Sequence, residues 1–268
     1  SYYPPGTEFD LEIEIIDAEG DTSRARSNKS IQYLDPSKNW KDAKGNGFSI
    51  LYYGIQTSRV ENLITQVNAR IPTIKKVVGV SNTPEFKAIV FPSVQEATPS
   101  FPPISQTATD QLFFAGFAEP QYRLFVQGQM NTLTFIHELT HLYVHEVVSS
   151  SLTARIPSWL DEGLAVFLET GKSEPSSERL RSSVRPDELL PLRNMNTIPG
   201  RRDDVFIFYP QAGAFVGYLV EEYGADTMAR YLAGINNGES AIENFNEIYG
   251  SSIYEIENDW RSTFNATP

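Results

Sequence analysis

The first 43 residues follow the hydrophobic period of β-strands. In the stretch FDLEIEIID, apolar side chains at every second position from Phe9 to Ile15 alternate with acidic ones. This alternation predicts a half-buried strand, because successive side chains on a strand point to opposite faces. The turn-forming stretch AEGDTS follows, and IQYLD predicts a returning strand. Residues 1–43 are interpreted as a short β-rich segment, with a fragment of an immunoglobulin-like domain as one interpretation.

The pattern changes after the polar connector DPSKNWKDAKGNG, and we predict a second domain at residues 44–268. Strands are predicted at FSILYYG, FKAIVFP, LFFAGF and YRLFVQG, and a helix at TSRVENLITQVNARIP, which Pro72 is expected to end. Beyond Leu133 the pattern predicts helices, apart from one long loop from Gly171 to about Asp204. Strands first and helices later indicate an α+β fold.

Charge and composition narrow the classes of partner. The formal net charge of −12 argues against binding to nucleic acid or to an anionic membrane surface, because both are negatively charged and bind clustered Lys and Arg. No apolar run approaches the roughly 18 residues that a transmembrane helix needs. The absence of cysteine excludes disulfides, thiolate metal ligands and a cysteine nucleophile. The oligomeric state is left open.

All three histidines of the chain lie in FIHELTHLYVHEVV, at His137, His141 and His145. Residues four apart lie on one face of a helix, so His137 and His141 can both direct an imidazole nitrogen at one ion. Glu138 completes the pattern H-E-x-x-H, in which the glutamate acts as general base beside a zinc ion. The alternative is an ordinary amphipathic helix whose histidines happen to align.

His145 is not predicted to be a ligand. It stands eight residues after His137, a rise of about 12 Å along a helix, whereas zinc–nitrogen bonds are about 2.0–2.1 Å long. We expect it at the surface or behind the ligands.

The third ligand is predicted to be a carboxylate, because no histidine follows His145. The stretch PSWLDEGLAVFLE has the apolar pattern of a packed helix and places Asp161 and Glu162 on a face that would otherwise be buried. A carboxylate in such a place needs a partner, and a zinc ion suits a set of imidazole and carboxylate ligands.

The two motifs HELTH and WLDEGLA together resemble those of the gluzincin metallopeptidases, and most closely the peptidase MA-like domains of bacterial surface or secreted proteins. The resemblance implies a zincin-like domain with an N-terminal mixed β-sheet and a mostly helical C-terminal half. It implies Zn²⁺ as cofactor, with His137, His141 and Glu162 as ligands. It also implies an extracellular or cell-surface location.

The resemblance extends to YPQAGAFVGYLVEEYG and assigns Tyr209 to stabilising the oxyanion, with Tyr218 and Tyr223 as alternatives. It is incomplete at AGFAEP, because Glu119 matches poorly the glutamate that binds the substrate amino terminus in related aminopeptidases. Amino-terminal specificity is therefore not implied. Asp161 stands where relatives often have Asn, and we expect it to orient a ligand.

The leading hypothesis is a zinc-dependent peptidase, in which Glu138 takes a proton from a metal-activated water that attacks a peptide or protein substrate. Two alternatives stay open: a non-catalytic surface binding module that retains the zinc site, and a non-peptidase zinc hydrolase on the same scaffold. A structural zinc site has four protein ligands, and the sequence offers three, which favours the enzyme.

Overall fold

A computed structural model describes residues 2–102, 116–149 and 156–265. The strands within these ranges are β1 (Glu8–Phe9), β2 (Glu12–Ile16), β3 (Thr22–Arg26), β4 (Ile31–Gln32), β5 (Lys41–Lys44), β6 (Phe48–Tyr52), β7 (Phe86–Val90), β8 (Gly116–Glu119) and β9 (Leu124–Gln127). The helices are α1 (Thr57–Val78), α2 (Val94–Ala97), α3 (Thr132–Val147), α4 (Ser158–Thr170), α5 (Glu174–Ser183), α6 (Arg202–Tyr223), α7 (Ala225–Asn236), α8 (Ala241–Tyr249) and α9 (Ile253–Asn265).

A five-stranded mixed sheet lies at the centre of the fold, in the order β5-β6-β7-β9-β8. The three inner strands run parallel, and β5 and β8 join opposite edges antiparallel to their neighbours. Ile50 and Tyr52 belong to the large core under the helices, whereas Leu51 and Tyr53 belong to a smaller apolar cluster on the other face. Because both faces are covered, FSILY is nearly continuously apolar. The predicted α+β class is confirmed.

Three of the predicted strands are confirmed as β6, β7 and β9. Most of the predicted strand LFFAGF lies outside the described residues, and β8 begins at Gly116 near its end. β5 lies within the polar stretch that was expected to be a connector, and it pairs with β6. The predicted boundary between residues 43 and 44 thus crosses a strand of the central sheet, and the division into domains stays a prediction.

The expectation that Pro72 ends the first helix is wrong, because α1 continues to Val78 and ends at Gly79, which has a φ of 84°. Ile74 and Val78 are completely buried beyond the proline. Burial of an aliphatic side chain contributes about 1.5–3 kcal/mol, so two such residues offset the roughly 3 kcal/mol that a proline costs inside a helix.

The expected loop from Gly171 to about Asp204 is also wrong in part, because it contains helix α5. The helix sequence EPSSERLRSS has one large apolar residue, Leu180, and therefore no hydrophobic period. Leu180 is completely buried, and Ser176 and Ser177 are buried with it. Two of the buried positions of this helix are serines, so the apolar pattern that would have predicted a helix is absent.

The predicted half-buried strand at the start of the chain is wrong in its burial. β2 and β3 form an antiparallel hairpin that pairs Ile13 with Ala25 and Ile15 with Ser23. Ile13 and Ile15 are 59% and 61% exposed, since no described element covers the apolar face of the hairpin. None of the described helices combines the length and the apolar character that crossing a bilayer requires.

Candidate metal centre

Helix α3 carries the histidines and is anchored at its start. The side chain of Asn131 caps the helix, which stabilises it by about 1 kcal/mol. Phe135 packs edge-on against Phe125 of β9, with ring centroids 4.8 Å apart. His137 and His141 lie one turn apart on another face, with ring centroids 4.9 Å apart. The capped and packed helix therefore presents both imidazoles together.

Helix α4 brings the carboxylate to the histidines because it packs closely against α6. A Cβ on Gly163 would lie 2.5 Å from Val216 Cγ2 and 2.7 Å from the carbonyl oxygen of Ala212. Only a glycine leaves room for this contact. The glycine that follows Glu162 in WLDEGLA thus has a packing role: it lets α4 approach α6 closely beside the carboxylate.

Three side chains converge between α3 and α4. The Oε2 atom of Glu162 lies 3.3 Å from His137 Nε2 and 3.5 Å from His141 Nε2. In a tetrahedral site with bonds of about 2.0–2.1 Å, two ligand atoms lie about 3.3–3.4 Å apart. Each of the three residues offers an atom within 4.8 Å of the others. Two imidazoles and one carboxylate therefore have the chemistry and the spacing of a zinc centre, and three protein ligands are the number typical of catalytic sites.

The other ring nitrogen of each histidine is held by a carboxylate. Glu169 Oε1 lies 2.9 Å from His137 Nδ1, and Asp161 Oδ1 lies 3.0 Å from His141 Nδ1. Such contacts select the tautomer and orient the ring, which leaves Nε2 for the ion. Asp161 was expected to orient a ligand, but Glu169 was missed. Its position two turns after Glu162 on the same helix was the signal that could have revealed it.

The carboxylates stabilise positive charge in a buried place. Burial by itself lowers the pKa of His137, but hydrogen bonds with Glu162 and Glu169 raise the pKa to about 9. Burial raises the pKa of Glu162, but the charges and hydrogen bonds of His141 and His137 lower it to about 2. Protons and a metal ion compete for the same imidazole nitrogens, so zinc binding would release protons.

Glu138 is buried beside the donors, with 6% of its surface exposed, and it is not one of the three converging residues. Burial raises the pKa of its carboxyl group, and the charges of His137 and His141 offset part of this rise. A Cβ on Gly116 of β8 would lie 2.8 Å from Glu138 Cγ. The glycine in the edge strand therefore leaves the room that the carboxylate occupies.

A cleft of about 590 Å³ opens over this cluster. Its lining includes His137, Glu138, His141, Glu162 and Tyr209. Burial, and then the charges of Glu162 and Glu138, raise the pKa of Tyr209. The phenol therefore stays a neutral hydrogen-bond donor at physiological pH. The structure thus places together the five residues to which the sequence assigned the metal site and its chemistry.

The other candidates lie outside this arrangement. Tyr218 and Tyr223 contact each other, with ring centroids 6.3 Å apart, and neither lines the cleft. Glu119 does not line it either, and its carboxylate accepts a hydrogen bond of 3.0 Å from a glutamine two residues on. His145 Nε2 lies 3.3 Å from Asp161 Oδ2. His145 therefore stands at the cleft wall behind the carboxylate that holds a ligand ring.

The sequence model of the peptidase MA superfamily matches residues 126–266, more than half of the chain. The chain belongs to the peptidase MA superfamily. The matched residues of this superfamily member include α3, α4 and α6, and so every residue of the metal cluster. The resemblance inferred from HELTH and WLDEGLA is confirmed. No curated protein matches the chain by sequence.

Solved zinc metallopeptidases share the fold of this peptidase MA superfamily member. A variant of M1 zinc metallopeptidase from Deinococcus radiodurans, bound to a Tyr-Ser-Ala substrate, has a TM-score of 0.52 at 13% identity, over 98% of this chain and 63% of that chain. A two-domain M1 zinc metallopeptidase variant bound to L-tryptophan has a TM-score of 0.52 at 13% identity, over 96% and 61%. At this identity the likeness concerns the fold alone, and it confirms the zincin-like architecture. The chain spans less than two thirds of the length of these proteins.

Replacing the orienting carboxylates is expected to weaken zinc binding without abolishing it. Asp161→Asn and Glu169→Gln each remove a charged acceptor from the ring of a ligand histidine, and such changes cost about 10–100-fold in metal affinity. Competition with a zinc-binding fluorophore measures the Kd of each variant. Glu146→Gln is the control and should change the Kd little, because Glu146 lies on the same helix as the histidines but pairs with Arg123 outside the cleft. Wild-type affinity in both carboxylate variants would show that neither residue orients a ligand.

Proposed function

We propose that this member of the peptidase MA superfamily is a zinc-dependent peptidase of the gluzincin type, which hydrolyses peptide bonds in peptide or protein substrates. The observation that supports the proposal is the position of Glu138. A buried carboxylate with no ligand role stands beside a donor set spaced for zinc, under an open cleft. A structural zinc site would have four protein ligands and would give no reason for this carboxylate.

His137, His141 and Glu162 would hold the ion, and bound zinc would polarise the scissile carbonyl and make a water molecule acidic near neutral pH. In this proposal Glu138 accepts the proton of the attacking water and delivers it to the leaving amine. Its raised pKa, which results from burial, brings the carboxyl group closer to the working pH. General acid–base catalysis is most efficient under that condition.

Tyr209 is proposed to donate a hydrogen bond from its phenol to the oxyanion that forms at the scissile carbonyl. Its place in the cleft lining and its raised pKa, caused first by burial, support this role. A neutral donor held in the wall of the cleft needs little reorganisation when charge develops on the carbonyl oxygen.

The substrate is proposed to lie extended along β8. Residues Gly116, Phe117 and Ala118 of this strand line the cleft, and β8 has a single neighbour, β9, among the described strands. An extended peptide can form backbone hydrogen bonds with such an edge. From the resemblance alone, we also propose an extracellular or cell-surface location.

The proposal is tested with the 268-residue chain and a diverse peptide library. We expect one zinc per chain, cleavage of a subset of peptides, loss of cleavage with a chelator, and recovery when zinc is returned. Elemental analysis and mass spectrometry of the products measure these outcomes. Bound zinc without cleavage of any peptide would favour the binding module or another hydrolase. A chain that binds no zinc would refute the metal centre.

Tyr209→Phe is expected to lower kcat about 10²–10³-fold, the cost of losing one oxyanion donor, with little change in KM. The zinc content should stay that of the wild type, because the two imidazoles and the carboxylate that converge are unchanged. Steady-state kinetics on one good substrate measures the effect. Tyr218→Phe, a tyrosine of the same helix outside the cleft, is the control. Equal losses in both variants would contradict the oxyanion role.

A further inference from the structure

The cleft over the metal donors is strongly acidic. The carboxylates in its lining are Glu138, Asp161, Glu162 and Glu169. Leu133 and Phe206, which also line it, are 47% and 41% exposed. Bound zinc would offset two of these four negative charges, so the lining still accepts apolar side chains and disfavours a negatively charged group unless a further cation compensates.

Arg179 is that cation. It stands on α5, whose Pro175 and Ser176 also line the cleft, and it is the one side chain with a permanent positive charge among the described lining residues. Arg181 on the same helix pairs with Glu174 at 3.2 Å, whereas the guanidinium of Arg179 makes no ion pair or hydrogen bond with the described residues. Its donors are therefore available to a molecule in the cleft.

We propose that Arg179 binds a carboxylate of the substrate, so that the peptidase prefers peptides with a free C-terminus or an acidic side chain near the scissile bond. The proposal rests on the proposed peptidase function. Carboxylates are the anionic groups that unmodified peptides offer, and the planar guanidinium forms paired hydrogen bonds with them. The carboxylate charge that zinc would leave uncompensated strengthens the dependence on Arg179, because it disfavours a negative group that has no cation beside it.

Three peptides of one apolar sequence separate the sources of the carboxylate. The first has a free C-terminus, the second has a C-terminal amide, and the third has the amide and one Glu in place of a Gln. We expect the wild type to cleave at least one of the charged peptides with a kcat/KM about 10–100-fold above that of the neutral amide. This is the usual contribution of hydrogen bonds to a charged group. Preference for the first peptide identifies the terminal carboxylate, and preference for the third identifies the side chain.

The variants Arg179→Gln and Arg179→Lys test the residue. Glutamine should remove the preference, and lysine should keep part of it, because lysine retains the charge without the paired donors. Arg181→Gln is the matched control on the same helix, and it should keep the full preference. The proposal is overturned if the wild type cleaves all three peptides equally well, or if Arg179→Gln keeps the preference.

Binding measurements separate failure of this proposal from failure of the peptidase function. Fluorescence anisotropy gives the Kd of the same three labelled peptides for the Glu138→Gln variant, which should bind without cleaving, and for Glu138→Gln combined with Arg179→Gln. The charged peptide should bind about 10–100-fold more tightly than the neutral one only when Arg179 is present. This difference in Kd would persist in a protein that cleaves no peptide. Equal Kd values for the charged and neutral peptides would refute the role of Arg179 in either case.

Discussion

The Glu138→Gln variant is expected to hold zinc as the wild type does and to cleave peptides about 10²–10⁴-fold more slowly, the usual contribution of a general base. Glutamine nearly matches glutamate in size, so the contact with Gly116 should survive the change. It cannot accept the proton of the attacking water at neutral pH. Elemental analysis and steady-state kinetics on one preparation measure both quantities.

Glu146→Gln is the matched control for this experiment. Glu146 lies on the same helix, pairs with Arg123 at 2.8 Å and does not line the cleft. Its replacement should leave zinc content and cleavage close to those of the wild type. Full activity of Glu138→Gln would end the general-base assignment, and loss of its zinc would place Glu138 among the ligands.

The Glu162→Ala variant is expected to lose zinc affinity by more than about 100-fold, beyond the 10–100-fold loss typical of residues that only orient a ligand. The change deletes the carboxylate oxygen that lies 3.3 Å from His137 Nε2 and 3.5 Å from His141 Nε2. Glu162 also helps to raise the pKa of His137, so its removal makes that imidazole easier to deprotonate. A weaker zinc affinity could therefore not be attributed to stronger competition by protons.

Zinc titrations of Glu162→Ala and Glu169→Gln, performed side by side, compare the loss of a ligand with the loss of a residue that orients one. Loss of the ligand Glu162 should lower the zinc affinity more than loss of Glu169, which only orients His137. Circular dichroism should show the same helical content in both variants. Cleavage should disappear with the metal and return in part at high zinc concentration. An unchanged zinc content in Glu162→Ala would remove it from the ligand set.

Local periodicity predicted the inner strands of the sheet and the histidine helix, because each depends on spacing along a few residues. The same reasoning failed where distant packing decides. Helix α1 continues past Pro72 because the residues after it are buried in the core. Helix α5 packs through Leu180 without any repeating apolar pattern. The alternating apolar residues around Ile13 predicted a buried face, but burial requires a second layer, and no described element supplies one.

The sequence by itself predicted the zinc ion and the residues that are proposed to hold it. Two histidines four residues apart share a face of any helix that contains both, and the resemblance carried by WLDEGLA identified Glu162 as their partner. Tertiary structure alone decided that Glu169 holds the ring of His137 and that Arg179 reaches the cleft. These contacts join different helices. Spacing along α4 places Glu169 on the same face as Glu162, but how the helices pack decides which side chain it meets.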